Sequence, residues 1–187
     1  MIQIRLLQPS DRKDLFNLVD KDLVGMYTET DELVEDWINN IITGVWEIYV
    51  AIISREETLE NKNRRRKLLP WNRKKNDIVG IVTLYGDWKE DEDIQKGEFD
   101  VGITVAEQFQ KKGVGKELLS FIVKRGLELK YEKASLWTRA DNLPMIKLAL
   151  KSGFTQGSKR TRYGYKWINY YLELIKKKKE KKDPSFI

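Results

Sequence analysis

Polar and apolar positions along the chain follow two rhythms. Ile2, Ile4 and Leu6 alternate with Gln3 and Arg5, and Val101, Ile103 and Val105 alternate with Asp100, Gly102 and Thr104. That is the two-residue period of a pleated strand. Residues 46–53 and 78–85 are near-continuous apolar runs, which predicts buried strands paired as a hairpin. A helical rhythm governs other stretches. Leu15, Phe16, Leu18 and Val19 follow a start at Pro9-Ser10-Asp11. Leu33, Val34, Trp37, Ile38, Ile41 and Ile42 follow Thr30-Asp31 and stop at Gly44. Val114, Leu118, Leu119, Ile122, Val123 and Leu127 give a third helix one apolar face. A fifth strand is expected over 134–138. Asp141 or Asn142 then caps a helix with Pro144 in its first turn, an apolar side of Met145, Ile146, Leu148 and Ala149, and a stop at Gly153. Residues 154–161 and 165–175 form a closing hairpin.

Two segments break these rhythms. Residues 54–77 hold a cluster of Lys and Arg around Leu68, Leu69, Pro70 and Trp71, where a hairpin normally turns in ~2–5 residues. They read as a solvated basic insertion, or as an arm for RNA or another polyanion. Residues 86–97 are acidic, a solvated turn or a lure for a cationic amine. Residues 176–187 form a Lys-rich tail that frays in solvent. The organisation expected is one domain over 1–175.

The chain of 187 residues contains no Cys and no His, with 35 Lys and Arg against 29 Asp and Glu, a formal charge of +6. Disulfides, thiol nucleophiles, Cys or His metal sites and an imidazole base are thereby excluded, and no metal is expected. The N-terminus is too polar for a signal peptide and no run approaches a membrane span, so the expected location is cytoplasmic. A positive balance suits a phosphate-bearing ligand.

The strand over 98–105 runs through Gln110-Lys111-Lys112-Gly113-Val114-Gly115-Lys116 into a helix. A helix start offers unpaired N–H groups and the positive end of the macrodipole to phosphate. Glycine lets backbone and ligand come close, and the lysines add charge. The P-loop pattern fails, since Gln110 and Glu117 stand where Gly and Ser or Thr are required; the dinucleotide fingerprint fails at Leu118.

What fits is Gln110-x-x-Gly113-x-Gly115 after a V-x-V-like strand end, which resembles the acyl-CoA loop of the GNAT N-acetyltransferase superfamily. A second motif of that family, N-x-x-A-x-x-L-Y-x-x-x-G-F, is met by Asn142, Leu148, Gly153 and Phe154, with Met145 and Ala149 departing from it. The resemblance implies an α/β (α+β) fold: a mixed, mostly antiparallel twisted sheet of about seven strands, helices on both faces, the fourth and fifth strands parallel. It implies acetyl-CoA as co-substrate, with pantetheine along Ile103, Thr104 and Val105 and pyrophosphate on Gln110, Lys111, Lys112, Gly113, Val114, Gly115 and Lys116, with Asn142 nearby. The acceptor implied is a primary amine of a small molecule, polyamine, protein N-terminus or lysine. Met26 and Tyr27, between the first two helices, are the candidate acceptor contacts; the sequence leaves the oligomeric state open, and the resemblance makes a dimer plausible. In the family the Tyr of the second motif protonates the departing thiolate; Ala149 cannot. Without His, Asp100 and Glu98 are the candidate bases, and Tyr165 or Tyr163 the replacement acid. The rival class is a non-catalytic acyl-CoA-binding or RNA/ribosome-associated module on the same fold.

Overall fold

The computed structural model describes residues 2–16, 18, 30–43, 46–54, 76–86 and 94–175. Met26, Tyr27, Gly25 and Gly44, the core of the basic insertion (55–75), the acidic stretch at 87–93 and the tail at 176–187 lie outside the described residues. The elements in order are β1 (Ile2–Leu6), a 3-10 turn (Pro9–Asp11), α1 (Arg12–Leu15), α2 (Thr30–Thr43), β2 (Glu47–Ser54), β3 (Asn76–Gly86) and β4 (Glu98–Val105). A 3-10 turn (Glu107–Phe109), α3 (Val114–Glu128), β5 (Lys133–Arg139), α4 (Leu143–Lys151), β6 (Thr155–Arg162) and β7 (Tyr165–Glu173) follow.

One seven-stranded sheet runs in the order β1-β2-β3-β4-β5-β7-β6. Only β4 and β5 pair in parallel, and every other neighbour is antiparallel. Their connection is α3, the long crossover a parallel pair requires. The inversion of β6 and β7 follows from their side chains. Trp167 and Tyr170 of β7 are buried, with Ile168 and Leu172 packed on the core. The sequence TQGSKRTR of β6 buries no residue and takes the sheet edge, where charge and polarity discourage further strand addition.

Each face of the sheet carries its own core. On one, Phe99 and Val101 of β4, Val79, Val82 and Leu84 of β3 and Ala134 and Leu136 of β5 pack against Val114, Leu118, Leu119 and Ile122 of α3 and Ala149 of α4. On the other, Ile48, Val50 and Ile52 of β2 and Ile78 and Ile81 of β3 pack against Leu15 and Val34, Trp37 and Ile38 of α2. The ends of the expected apolar stripes fall outside these cores: Phe16, Ile42 and Leu127 are exposed, since each lies at the last turn of its helix.

Two ion pairs tie helix to sheet. Arg5 donates through both terminal nitrogens to Asp11 at 2.7 and 2.8 Å, and Gln8 N–H donates to the same carboxylate at 2.9 Å. Asp11 is therefore buried in an ion pair just before α1, and its carboxylate closes the cap of the turn that starts at Pro9. Burial opposes its ionisation, but Arg5 and the Gln8 N–H outweigh burial and hold the carboxyl below its ordinary value. On the opposite face Arg125 of α3 donates to both oxygens of Glu47 at 2.8 Å, holding that carboxyl low. The Tyr49 hydroxyl also donates to Glu47, at 2.7 Å; burial and this bond push the phenol up to about 12. No described helix is long and apolar enough to cross a membrane.

Candidate active site

β4 and β5 pair at three positions only, Glu98↔Lys133, Phe99↔Ala134 and Asp100↔Ser135. Beyond them β4 continues to Val105 paired with β3 alone, and β5 continues to Arg139 paired with β7 alone. The two strands thus form a V whose closed end is Asp100 and Ser135. At ~3.3 Å per residue the open arm of β4 is on the order of 15 Å long. A strand turns alternate N–H and C=O groups to each side, and past Asp100 and Ser135 the inner edges of β4 and β5 no longer have each other as ladder partners. An extended ligand with amides of its own can complete them.

The Gly113 loop stands at the mouth. After β4, Ala106 N–H bonds Val79 O at 3.0 Å, and Gln110 Nε2 donates to Val105 O at 3.2 Å, folding the loop back on the strand. Lys111 (φ 58°) and Gly113 (φ 89°) are both left-handed. Gly113 is the N-cap of α3 and no side chain caps the helix. Its first intrahelical bond is Glu117 N–H to Gly113 O at 3.1 Å. The N–H groups of Val114, Gly115 and Lys116 are therefore left for an outside acceptor. A Cβ built on Gly113 would meet nothing within 4 Å, so open space lies over the loop. Gly115 differs. A Cβ there would lie 3.3 Å from Leu148 Cδ2 and 3.8 Å from Val105 Cγ2, so it serves the packing of α3 on α4 and β4. Lys111, Lys112 and Lys116 are exposed, and Lys112 Nζ sits 5.3 Å from the centre of the Phe109 ring.

The candidate carboxylates separate in character. Glu98 is buried, with its oxygen 3.1 Å from Lys133 Nζ. Asp100 is half-buried at the closed end of the V, where Ser135 Oγ donates to its Oδ1 at 3.0 Å. Asn169 Nδ2 lies 3.5 Å from Ser135 Oγ and 3.4 Å from Leu136 O, bracing β5 from β7. Tyr165 lies elsewhere. Tyr171 is the β7 residue opposite Ser135, and six residues of strand, ~20 Å, separate it from Tyr165. Tyr165 stacks on the Arg139 guanidinium at 4.4 Å, at the mouth of the V. Tyr163, left-handed at φ 53°, is 58% exposed on the hairpin turn.

In α4 it is Asn142 that caps, accepting from Met145 N–H at 3.2 Å, while Asp141 is held by Arg139 Nε at 2.8 Å. Asn142 thus has a structural task at the position expected beside the ligand. Ala149 is fully buried in the core and accepts from Phe154 N–H at 3.1 Å. Sequence reading missed Ser135, Asn169 and Lys133. The signal was there for Ser135 alone, a hydroxyl between the buried Ala134 and Leu136.

Among the described residues no group of three or more His, Cys, Asp or Glu could hold a metal ion. A model of the Acetyltransferase (GNAT) family matches residues 30–154. No curated protein matches the sequence. Solved structures are similar in fold. An N-acetyltransferase from Staphylococcus aureus Mu50 superposes with a TM-score of 0.68 at 16% identity, over 94% of this chain and 99% of that one. NAA60 of Arabidopsis thaliana in complex with acetyl-CoA gives 0.66 at 20% identity, over 92% and 98%. The yncA protein of Salmonella typhimurium with its cofactor acetyl-CoA gives 0.65 at 15% identity, over 94% and 95%.

Proposed function

This chain belongs to the GNAT acetyltransferase family, and from that membership we propose that it moves the acetyl group of acetyl-CoA to a primary amine by direct attack. The observation that carries the reading is the V between β4 and β5 with the Gly113 loop at its mouth. The pyrophosphate would take the N–H groups at the start of α3, with Lys111, Lys112 and Lys116 around it. The pantetheine amides would bond the inner edge of β4 over Ile103, Thr104 and Val105, which points the thioester toward Asp100 and Ser135.

Charge and protons close in that arrangement. The acceptor reaches the site as an ammonium, because free amines are protonated near neutral pH. Asp100 is the proton acceptor, its other carboxylate oxygen being oriented by the Ser135 hydroxyl. Glu98, committed to Lys133, keeps the closed end rigid. The freed amine attacks the thioester carbonyl carbon, the C–N bond forms and the C–S bond breaks. Backbone N–H groups on the edge of β4 stabilise the oxyanion between those events. The departing thiolate takes up the amine's second proton. With Ala149 at the position of the family's tyrosine, no side chain need supply that proton, because a thiol pKa of ~8.5 makes thiolate a tolerable leaving group. Tyr165 is assigned to the mouth, not the thioester.

The test is release of free CoA thiol with a panel of primary amines; a chain without Cys adds no background to it. Wild type is expected to release CoA only when an amine is present. Asp100→Asn is expected to lower kcat by roughly 10²–10⁴, the usual worth of a positioned proton acceptor. Acetyl-CoA should still bind the variant. Amine-independent rates, or an Asp100→Asn enzyme as fast as wild type, would overturn the assignment.

A further inference from the structure

Beside the parting of β4 and β5 one hydrogen-bond donor is left over. Opposite residues of an antiparallel pair share a face, and the register sets Ile81 against Thr104, Thr83 against Gly102 and Tyr85 against Asp100. Ile81 clusters with α2, whereas Val82 and Leu84 cluster with α3. Thr83 and Gly102 therefore lie on the face away from α3 and α4. Gly102 is two residues past Asp100 at the closed end of the V, about 7 Å toward the mouth. Gly102 is exposed and Thr83 half-buried. A Cβ built on Gly102 would meet one described residue within 4 Å, Thr83, whose Oγ1 would stand 2.6 Å away. The Gly102 N–H donates to that same oxygen at 3.1 Å. A hydroxyl has two lone pairs and one hydrogen. Here the backbone fixes the oxygen, and no described residue accepts the hydrogen. Thr83 thus holds a placed donor over a bare stretch of β4.

Because α3 and α4 cover the other face, an acceptor reaching a thioester in the V comes over Gly102. We propose that Thr83 binds the acceptor by donating its hydroxyl hydrogen to a carbonyl attached to the amine-bearing carbon. The acceptor is then an α-amino carbonyl compound, the chemistry of a peptide N-terminus or of a free amino acid. Amine and carbonyl oxygen are about 3 Å apart in such a compound, and a hydrogen bond adds ~2.8 Å, so the amine lies within about 6 Å of Thr83 Oγ1. That reach covers most of the way back to the parting of the strands. A lysine side chain or a polyamine has no oxygen on the carbon next to its amine-bearing carbon. The inference rests on the reading of the V as the place of the thioester, and it does not depend on which group takes the proton of the amine.

The experiment measures kcat/KM for alanyl-alanyl-alanine, alanine, isopropylamine and spermidine in wild type, Thr83→Val, Thr83→Ser and Gly102→Ala. Acetyl-CoA affinity of each protein is measured by calorimetry. Isopropylamine has the shape of the alanine end without its carbonyl. An α-amino group loses its proton more easily than an alkylammonium, so the ratio of carbonyl acceptor to isopropylamine is compared between proteins. Thr83→Val keeps the shape and deletes the donor, and the ratio should fall roughly 3–10-fold, the size of one neutral hydrogen bond. Thr83→Ser should restore it, and acetyl-CoA affinity should hold in both. Should Thr83→Val not fold, Gly102→Ala decides: its Cβ displaces the Thr83 hydroxyl, and the same fall is expected. The faster of tripeptide and alanine tells a peptide from a free amino acid, and either agrees with the inference. An unchanged ratio overturns it, as does a wild type that acetylates spermidine alone. Equal slowing of every acceptor in Thr83→Val also overturns it, since the hydroxyl would then serve the thioester, and so does loss of acetyl-CoA affinity. Those results leave acetyl transfer standing. If acetyl-CoA binds and no amine is acetylated, the transferase reading falls and this inference with it.

Discussion

Gly113 and Gly126 stand toward opposite ends of α3 and answer opposite demands. A Cβ on Gly126 would penetrate the Phe99 ring of β4, so this glycine lets the helix settle onto the sheet. A Cβ on Gly113 would meet no protein atom within 4 Å, yet the residue is left-handed at φ 89°. One glycine is explained by what already lies against it, the other by turn geometry and by the open space above it. Gly115 belongs with Gly126 in kind, since Leu148 and Val105 crowd it. Within one motif, then, the first glycine faces open space and the second faces the fold.

That contrast can be broken in both directions. Gly113→Glu has the largest expected effect: a carboxylate where phosphate must approach should weaken acetyl-CoA binding by at least about 100-fold, or ~2.7 kcal/mol. Calorimetry on the folded variant checks it, and unchanged affinity would remove the loop from the site. Gly126→Ala should do the reverse. Overpacking against Phe99 should cost roughly 1–3 kcal/mol of stability, at about 2–4 °C of Tm per kcal/mol for a chain of this size. Acetyl-CoA affinity per folded molecule should persist, and a Tm equal to wild type would show that the α3–β4 contact is looser than described.

Smaller effects sharpen the same division between fold and ligand. Asp11 and Glu47 are both held below their ordinary values of 3.8 and 4.5. The stability their pairs contribute is full above those values and is lost as pH falls through them toward the lower folded ones. Thermal unfolding followed from pH 7 to pH 3 should show this acid loss, and Asp11→Asn should flatten part of it. A slope unaltered in Asp11→Asn would mean that the Arg5 pair adds nothing net. Lys112→Ala should have the least effect. As an exposed cation beside the phosphate site it should weaken acetyl-CoA binding by about 0.2–1 kcal/mol with no change in Tm. A loss as large as that of Gly113→Glu would move the phosphate's main contact from backbone to side chain.

Most of the fold was legible because its signals are local. The alternation of Ile2, Ile4 and Leu6 and of Val101, Ile103 and Val105, the stripe from Val114 to Ile122 and the Gly153 stop each report a period or a backbone preference carried by neighbours in sequence. The Gln110, Gly113 and Gly115 spacing located the loop for the same reason. Other questions stayed open until the strands were assembled. Asp141 and Asn142 were equal as caps until Arg139 took Asp141. The two glycines of the loop looked alike until α4 was packed against one of them.

By itself the sequence determined the order and type of the elements, the family's two motifs, and the absence of thiol and imidazole chemistry. Periodicity, turn preference and composition need no partner to be read. Only the tertiary structure decided where β4 and β5 part, which carboxylate meets Ser135 and which is spent on Lys133, and that Arg160 lies over Trp137. Glu98 and Lys133 are 35 residues apart, as are Asp100 and Ser135. Such pairings come from the register of a parallel pair reached through a whole helix, and no local pattern in the chain encodes that register.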